Sequence, residues 1–342
     1  MTVTTTPVSP LLDEHGALGA HFTDFAGWQM PLKYDSELAE HHAVRKSAGL
    51  FDLSHMGEIA VTGTESGALL DYALAGELSK IGVGRAKYSL LCNADGGVID
   101  DLVVYRLADE HFLVVANAAN APAVYRELAA RADGFSANVD DQSAETALIA
   151  VQGPAAQNIV QSLVPALQLE TVAELKYYAV TRAVVAGIDV LLARTGYTGE
   201  DGFELYVPNA QSVALWRALL AATTERDGIP AGLACRDTLR LEAGMALYGH
   251  ELTLDTNPYE AGLGKVVRLN KEFVGRDALQ TLSEQAPQRV SSVSQHRTPR
   301  RPRRIHRSRR DRRSGRRHDH VRRPVPDART SDRAGVRRHR VP

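Results

Sequence analysis

Cysteine is almost absent. Cys92 and Cys235 are the only two in 342 residues and form no C-x-x-C pair, which excludes a disulfide framework and a standard zinc site. No run approaches the roughly 18–20 apolar residues of a membrane span, so no membrane association is expected. The opening MTVTTTPVSPLLDEHG has neither a basic nor an apolar stretch, which argues against a secretory leader and for a reducing, cytoplasmic location. There is no G-x-S-x-G and no complete dinucleotide-binding fingerprint. AGLGK (261–265) falls short of a phosphate loop. His41, His42 and His55 do not form H-E-x-x-H, and no metal is expected. What remains is ordinary globular composition, 44% hydrophobic and 24% charged, with length for two or three domains.

The net charge of −1 conceals two unlike parts. Residues 289–342 hold 20 arginines and four aspartates with no lysine or glutamate, a formal +16, so residues 1–288 carry −17. The basic part has no Leu, Phe, Tyr, Trp, Met or Cys after Gln288. It cannot bury enough surface to offset its ordering entropy, and disorder is expected. One reading is an arginine-rich arm binding nucleic acid by counterion release. The other is translation in a shifted frame. Moving one nucleotide forward from Val321 permits SGALSPTLGHPIALAYV, an apolar strand-and-turn text, and we expect no specific nucleic-acid partner.

The body alternates strand and helix patterns. GEIAVTG (57–63) reads as a strand and ESGALLDYAL as a helix. KYSLLCN (87–93) and VIDDLVVYRL (98–107) read as a hairpin joined at Ala94-Asp95-Gly96-Gly97, with HFLVVANA (111–118) completing an antiparallel meander. APAVYRELAARA places apolar residues at helical spacing. The theme recurs with TALIAVQG (146–153) as strand and AAQNIVQSLV as helix. AVVAGIDVLLAR and FELYVP follow as strands, and QSVALWRALLAAT and CRDTLRLEAGMAL as helices. Antiparallel strands interleaved with helices define an α+β fold.

Six segments carry a family resemblance: FAGWQMP (25–31), EHHAVRKSAGLFDLSHMGEI (40–59), YSLLCNADGGVIDDLVVYRL (88–107), RTGYTGEDGFELYVP (194–208), GLACRDTLRLEAGMALYGHEL (232–252) and NPYEAGLGKVVRLNKEFVGRDAL (257–279). In content and order they resemble the T-proteins of glycine cleavage systems, tetrahydrofolate-dependent aminomethyltransferases. The resemblance implies a multidomain folate-binding fold, with residues 1–286 as the folate-binding region in two intertwined α+β subdomains. Residues 287–342 would stand in place of a C-terminal β-barrel domain that is largely missing. The shifted-frame text also resembles the family's closing SG…SPTL…AYV signature. A late folate-contacting arginine then has no counterpart, and the chain as written is expected to be less soluble and little active. The implied reaction passes a one-carbon unit from the aminomethyl-lipoyl arm of an H-protein to tetrahydrofolate, with loss of ammonia. The folate-binding part of sarcosine or dimethylglycine oxidases is the nearest alternative, though their flavin domain is absent.

The resemblance also assigns residues. Asp100-Asp101 sits on a strand, and alternation puts the two side chains on opposite faces, so that one enters a site while the other meets solvent. The catalytic aspartate falls here; Asp101 is placed in that role beside the folate nitrogens, with Asp100 its rival. Tyr197 and Glu204 flank the turn TGEDG, where a carboxylate can accept pterin N–H groups and a tyrosine can line the ring. Arg236 is expected as a folate contact, with Arg240 its competitor, and Asn117 as a site residue near Asp101 because a buried amide needs partners. Tyr88 and Met56 are expected to line the pocket.

Overall fold

Strands that are apolar at consecutive positions need cover on both faces, and TALIAVQ and VIDDLVVYRL are of that kind. The computed structural model describes residues 7–285; the arginine-rich stretch, and the disorder expected of it, lie outside the described residues. The elements begin with α1 (Leu12–Ala17), β1 (His21–Phe25), β2 (Trp28–Lys33), α2 (Glu37–Lys46), β3 (Gly49–Asp52) and β4 (Gly57–Thr62). They continue with α3 (Ser66–Ala73), β5 (Arg85–Cys92), β6 (Val98–Ala108), β7 (His111–Ala116), α4 (Ala121–Arg131), β8 (Asn138–Asp141), β9 (Thr146–Gln152), α5 (Ala156–Leu163) and α6 (Leu169–Glu174). The last are β10 (Val180–Val185), β11 (Ile188–Ala193), β12 (Gly202–Pro208), α7 (Asn209–Thr224), β13 (Ile229–Pro230), α8 (Leu233–Glu242) and α9 (Arg276–Ser283).

The strands form a two-stranded ribbon, β1-β2, a six-stranded sheet in the order β10-β11-β12-β9-β3-β13, and a five-stranded sheet in the order β5-β6-β7-β4-β8. Every pairing is antiparallel except β13 with β3. The meander of residues 85–116 is therefore as expected. Alternate residues explain the layering. On β9, Ala147, Ile149 and Val151 pack outward under α5 and α7, while Leu148 and Ala150 face inward. On β6, Leu102 and Val104 join the core under α3 and α4, while Tyr105 and Val103 face inward. The inner faces of both sheets share one cluster with Val44 of α2 and Cys235 and Leu239 of α8. The result is helices, sheet, sheet, helices. Each fully buried Leu, Ile or Phe in these layers contributes on the order of 1.5–3 kcal/mol.

Two expected elements end differently. AVVAGIDVLLAR is not continuous, because Ala186 (φ 52°) and Gly187 (φ 79°) turn the chain into the β10-β11 hairpin. Two successive residues with positive φ close a two-residue hairpin whose twist matches its strands. The helix in CRDTLRLEAGMAL stops at Glu242. Gly244 (φ 71°) donates to Leu241 O at 3.0 Å and Met245 N to Arg240 O at 2.9 Å, a left-handed C-terminal cap. After it, residues 246–282 cross the inner face of β5, where Leu252, Val267, Phe273 and Leu279 pack on Leu90, Cys92 and Val98. Both cysteines are free and buried.

Candidate active site

Where the two inner faces meet the segment after α8, polar side chains replace the core. Asp101 occupies the inward parity of β6 with Val103 and Tyr105 and is half-buried. Its Oδ2 accepts the Tyr88 hydroxyl at 2.9 Å and its Oδ1 the Asn117 Nδ2 at 2.9 Å. Asn117 follows β7 and also donates to Asp101 O at 2.9 Å and Asp100 Oδ1 at 2.9 Å. Alternation does put Asp100 on the other face, but that face is core rather than solvent, and Asp100 is 0% exposed. Burial pushes both carboxyls above the ordinary range, helped on Asp100 by the adjacent Asp101 charge.

The turn from Arg194 to Gly202 is built around one side chain. Gln152, at the inward end of β9, donates to Thr195 O at 3.0 Å and accepts the Thr198 hydroxyl at 3.0 Å. Its amide fills the space inside the turn so closely that a Cβ on Gly196 would lie 1.9 Å from Oε1, and one on Gly202 2.3 Å from Nε2. Arg45 of α2 closes the outside, reaching Thr198 O at 2.6 Å, Glu200 at 3.0 Å, Glu242 at 2.6 Å and Leu239 O at 3.3 Å. Arg194 pairs with both Asp201 oxygens, at 2.8 and 2.6 Å. Glu200 and Asp201 thus hold the turn.

Tyr197, on this turn, donates its hydroxyl to Ala246 O. Glu204 is inward on β12. Its Oε2 accepts the Thr195 hydroxyl and, at 3.3 Å, that of Tyr105, while Oε1 accepts nothing from the described residues. One oxygen of this carboxylate is therefore taken up within the fold by Thr195 and Tyr105. Arg236 projects from the first turn of α8, its Cζ 4.8 Å from the Tyr197 ring centroid, and among the described residues it makes no hydrogen bond or ion pair with its side chain. The Glu204 charge partly offsets its burial. Arg240 is 1% exposed and committed to Glu251 at 2.6 Å, Asp237 at 2.7 Å and Met245 O at 3.1 Å. The two arginines divide accordingly: among the described residues Arg240 is tied into ion pairs, and Arg236 is not.

Asp101, Tyr88 and Asn117 are thus directly bonded, Tyr197 and Arg236 stack, and Glu204 lies within electrostatic reach of that arginine. Met56 is half-buried against the inner cluster, with no polar contact to the others. Its neighbour His55 is 3% exposed, edge-on to Phe25 at 5.3 Å, and its Nδ1 is buried without a partner among the described residues. Burial pushes it down to about 4, opposed by Asp52 and aided by Arg236, so it is neutral at pH 7. Sequence reasoning missed Tyr105, Thr195, Gln152 and Arg45. Tyr105 had a signal, the same strand parity as Asp101; Gln152 and Arg45 lie too far along the chain for any local pattern. Among the described residues no cluster suits a metal ion, and no helix is long and apolar enough to cross a membrane.

Titratable and aromatic groups thus gather at one end of the inner layer of a two-sheet α+β fold. Residues 11–271 match the family described as the GCVT N-terminal domain. The chain belongs to that family. It is 58% identical to an aminomethyltransferase of Cutibacterium acnes, over 81% of this chain and 76% of the relative. It is 45% identical to an aminomethyltransferase of Thermotoga maritima, over 82% and 76%. The crystal structure of the glycine cleavage system aminomethyltransferase T from Bartonella henselae superposes with a TM-score of 0.75 at 39% identity, covering 84% of this chain and 77% of that one.

Proposed function

We propose that the chain is the aminomethyltransferase of a glycine cleavage system and that the inner-layer cluster is where it holds tetrahydrofolate. The aminomethyltransferase assignment follows from family membership at up to 58% identity. The observation that supports the site is the gathering of the Arg236 guanidinium and Glu204 Oε1, both without a partner among the described residues, and of the half-buried Asp101, held by Tyr88 and Asn117, at one aromatic-walled end of the inner layer. A reduced pterin presents a flat face, N–H donors and carbonyl acceptors, which suit Tyr197 and Tyr88, Glu204 and Arg236 respectively.

In the reaction, the C–S and C–N bonds of a lipoyl-borne S–CH2–NH2 group break, and two C–N bonds form to folate nitrogens. The two folate N–H protons end on the departing sulfur and ammonia, so no redox partner is needed. Asp101 is the group placed to handle a proton beside those nitrogens, oriented by Tyr88 and Asn117. Met56 completes the lining. The carrier is a lipoylated H-protein, and the setting is cytoplasmic. Residues 1–286 act as one folate-binding region.

Calorimetry with tetrahydrofolate, and formation of methylenetetrahydrofolate from aminomethyl-loaded H-protein, test this reading. Asp101→Asn is expected to retain folate binding and to lose turnover by about 10²–10⁴-fold. Full turnover in that variant would remove Asp101 from the chemistry.

A further inference from the structure

Asp100 has no path to a ligand, yet it is elaborately held. It is 0% exposed on the β6 face that otherwise carries Leu102 and Val104, where a bare charge would cost several kcal/mol. Three N–H groups converge on it: Asn117 N at 3.0 Å, Asn117 Nδ2 at 2.9 Å and Asn120 Nδ2 at 2.8 Å. Every hydrogen bond its side chain makes among the described residues is one it accepts, and each such donor favours the ionised form. A simple anchor for the chain end would not need the same amide, Asn117 Nδ2, to bond Asp101 Oδ1 as well.

We propose that Asp100 is a positioning residue of the transfer site, acting on Asp101 through the Asn117 amide that both carboxyl groups share. This rests on the site reading given above. Two adjacent carboxyls in a dry site cannot both ionise freely, so the pair holds one proton into the neutral range, raised by burial and mutual repulsion. The donors decide which member carries it. Asp100, ringed by N–H groups in the core, stays charged. Asp101 accepts from Asn117, from its own backbone N–H and from the Tyr88 hydroxyl, and the Arg240 charge also favours its ionised form; but that hydroxyl can turn to accept, which none of the N–H groups on Asp100 can do, so with its open side toward the ligand space Asp101 takes the proton. The other ionisable groups facing the pair are Tyr88 from β5, Arg240 from α8, Tyr197 from the turn and Tyr248 from the segment after α8. Arg240 comes with Asp237 and Glu251, which take up its charge.

The test is a pH titration of the full chain by NMR, with aspartate labelled at Cγ with carbon-13 and the Asp101 signal assigned by its loss in Asp101→Asn. In the unaltered chain Asp101 is expected to titrate well above the ordinary value of about 3.9. In Asp100→Asn its midpoint is expected to fall by about one pH unit or more, a tenfold loss of proton affinity. Asn120→Ala frees Asp100 to take the proton instead and lowers the Asp101 midpoint in the same direction by less. If Asp100→Asn does not fold, Asn120→Ala decides alone, since it leaves both carboxyls and Asn117 in place. An Asp101 midpoint unmoved in the folded variants overturns the proposal. The titration needs no ligand, whereas absence of tetrahydrofolate binding to the unaltered chain would count against the site reading instead.

Discussion

The Arg236 guanidinium lies over the Tyr197 ring, 4.8 Å from its centroid, while the hydroxyl of that ring is tied to Ala246 O. The tyrosine is fixed at both its face and its tip, and the arginine's N–H groups have no partner among the described residues. A cation over an aromatic face contributes about 0.5–2 kcal/mol, and an added charge-assisted hydrogen bond about as much again. Arg236→Ala is therefore expected to weaken tetrahydrofolate binding by roughly 10–100-fold in calorimetry. Arg236→Lys should recover only part of it, for lack of the planar fork. Equal affinity in the alanine variant would remove Arg236 from the site.

Gln152 and Gly196 compete for one volume. Gly196→Ala puts a methyl where the Gln152 amide lies and is expected to cost about 1–3 kcal/mol of stability. Hydrogen exchange should rise across 194–202. Trimming the amide in Gly196→Ala/Gln152→Ala should restore part of the loss, so the two changes are expected to be strongly non-additive. Additive losses in thermal unfolding would show that the two do not share space.

Arg45 joins α2, the 197–201 turn and α8 through four contacts. Arg45→Ala removes no group of the proposed chemistry and is expected to loosen Tyr197 and Arg236 of the proposed site together. Tetrahydrofolate affinity is expected to drop about tenfold, more than turnover at saturating folate, and Arg45→Lys should rescue it only weakly. A fall in turnover with unchanged affinity would contradict this.

Glu58 of β4 is 1% exposed, and both its carboxyl oxygens are buried without a partner among the described residues. Burial first, then the Asp141 and Glu204 charges, hold it well above the ordinary range, so it is neutral in the fold. The folded state thus binds a proton that the unfolded chain releases above about 4.3. Stability tied to this group is present below that value and declines as pH rises toward the folded one. Glu58→Met, similar in length and apolar, is expected to raise the melting temperature, with a gain that widens between pH 5 and pH 8. A gain independent of pH would mean that Glu58 is ionised in the fold.

The strand and helix texts between Gly57 and Glu242 were largely legible because their periodicities report which faces are covered. The two misread ends, at Ala186-Gly187 and at Gly244, turn on single residues with positive φ, a backbone choice that apolar patterning does not record. The site was legible only in part. Asp101 and Asn117 lie close in sequence around one hairpin, and Tyr197 and Glu204 around one turn. Nothing local announced that Thr195 and Tyr105 would occupy one Glu204 oxygen, or that Arg236 rather than Arg240 would stay unpaired.

By itself the sequence determined the α+β composition, the family and the hairpin carrying two acids, since strand parity and short spacing are properties of the local chain. Which acid looks into the site and which into the core, and which side chains brace the Tyr197 turn, were decided only when two sheets closed face to face. That choice depends on what lies across the layer, as with Gln152 and Arg45, whose partners are more than 40 and 150 residues away, distances over which no periodicity carries information.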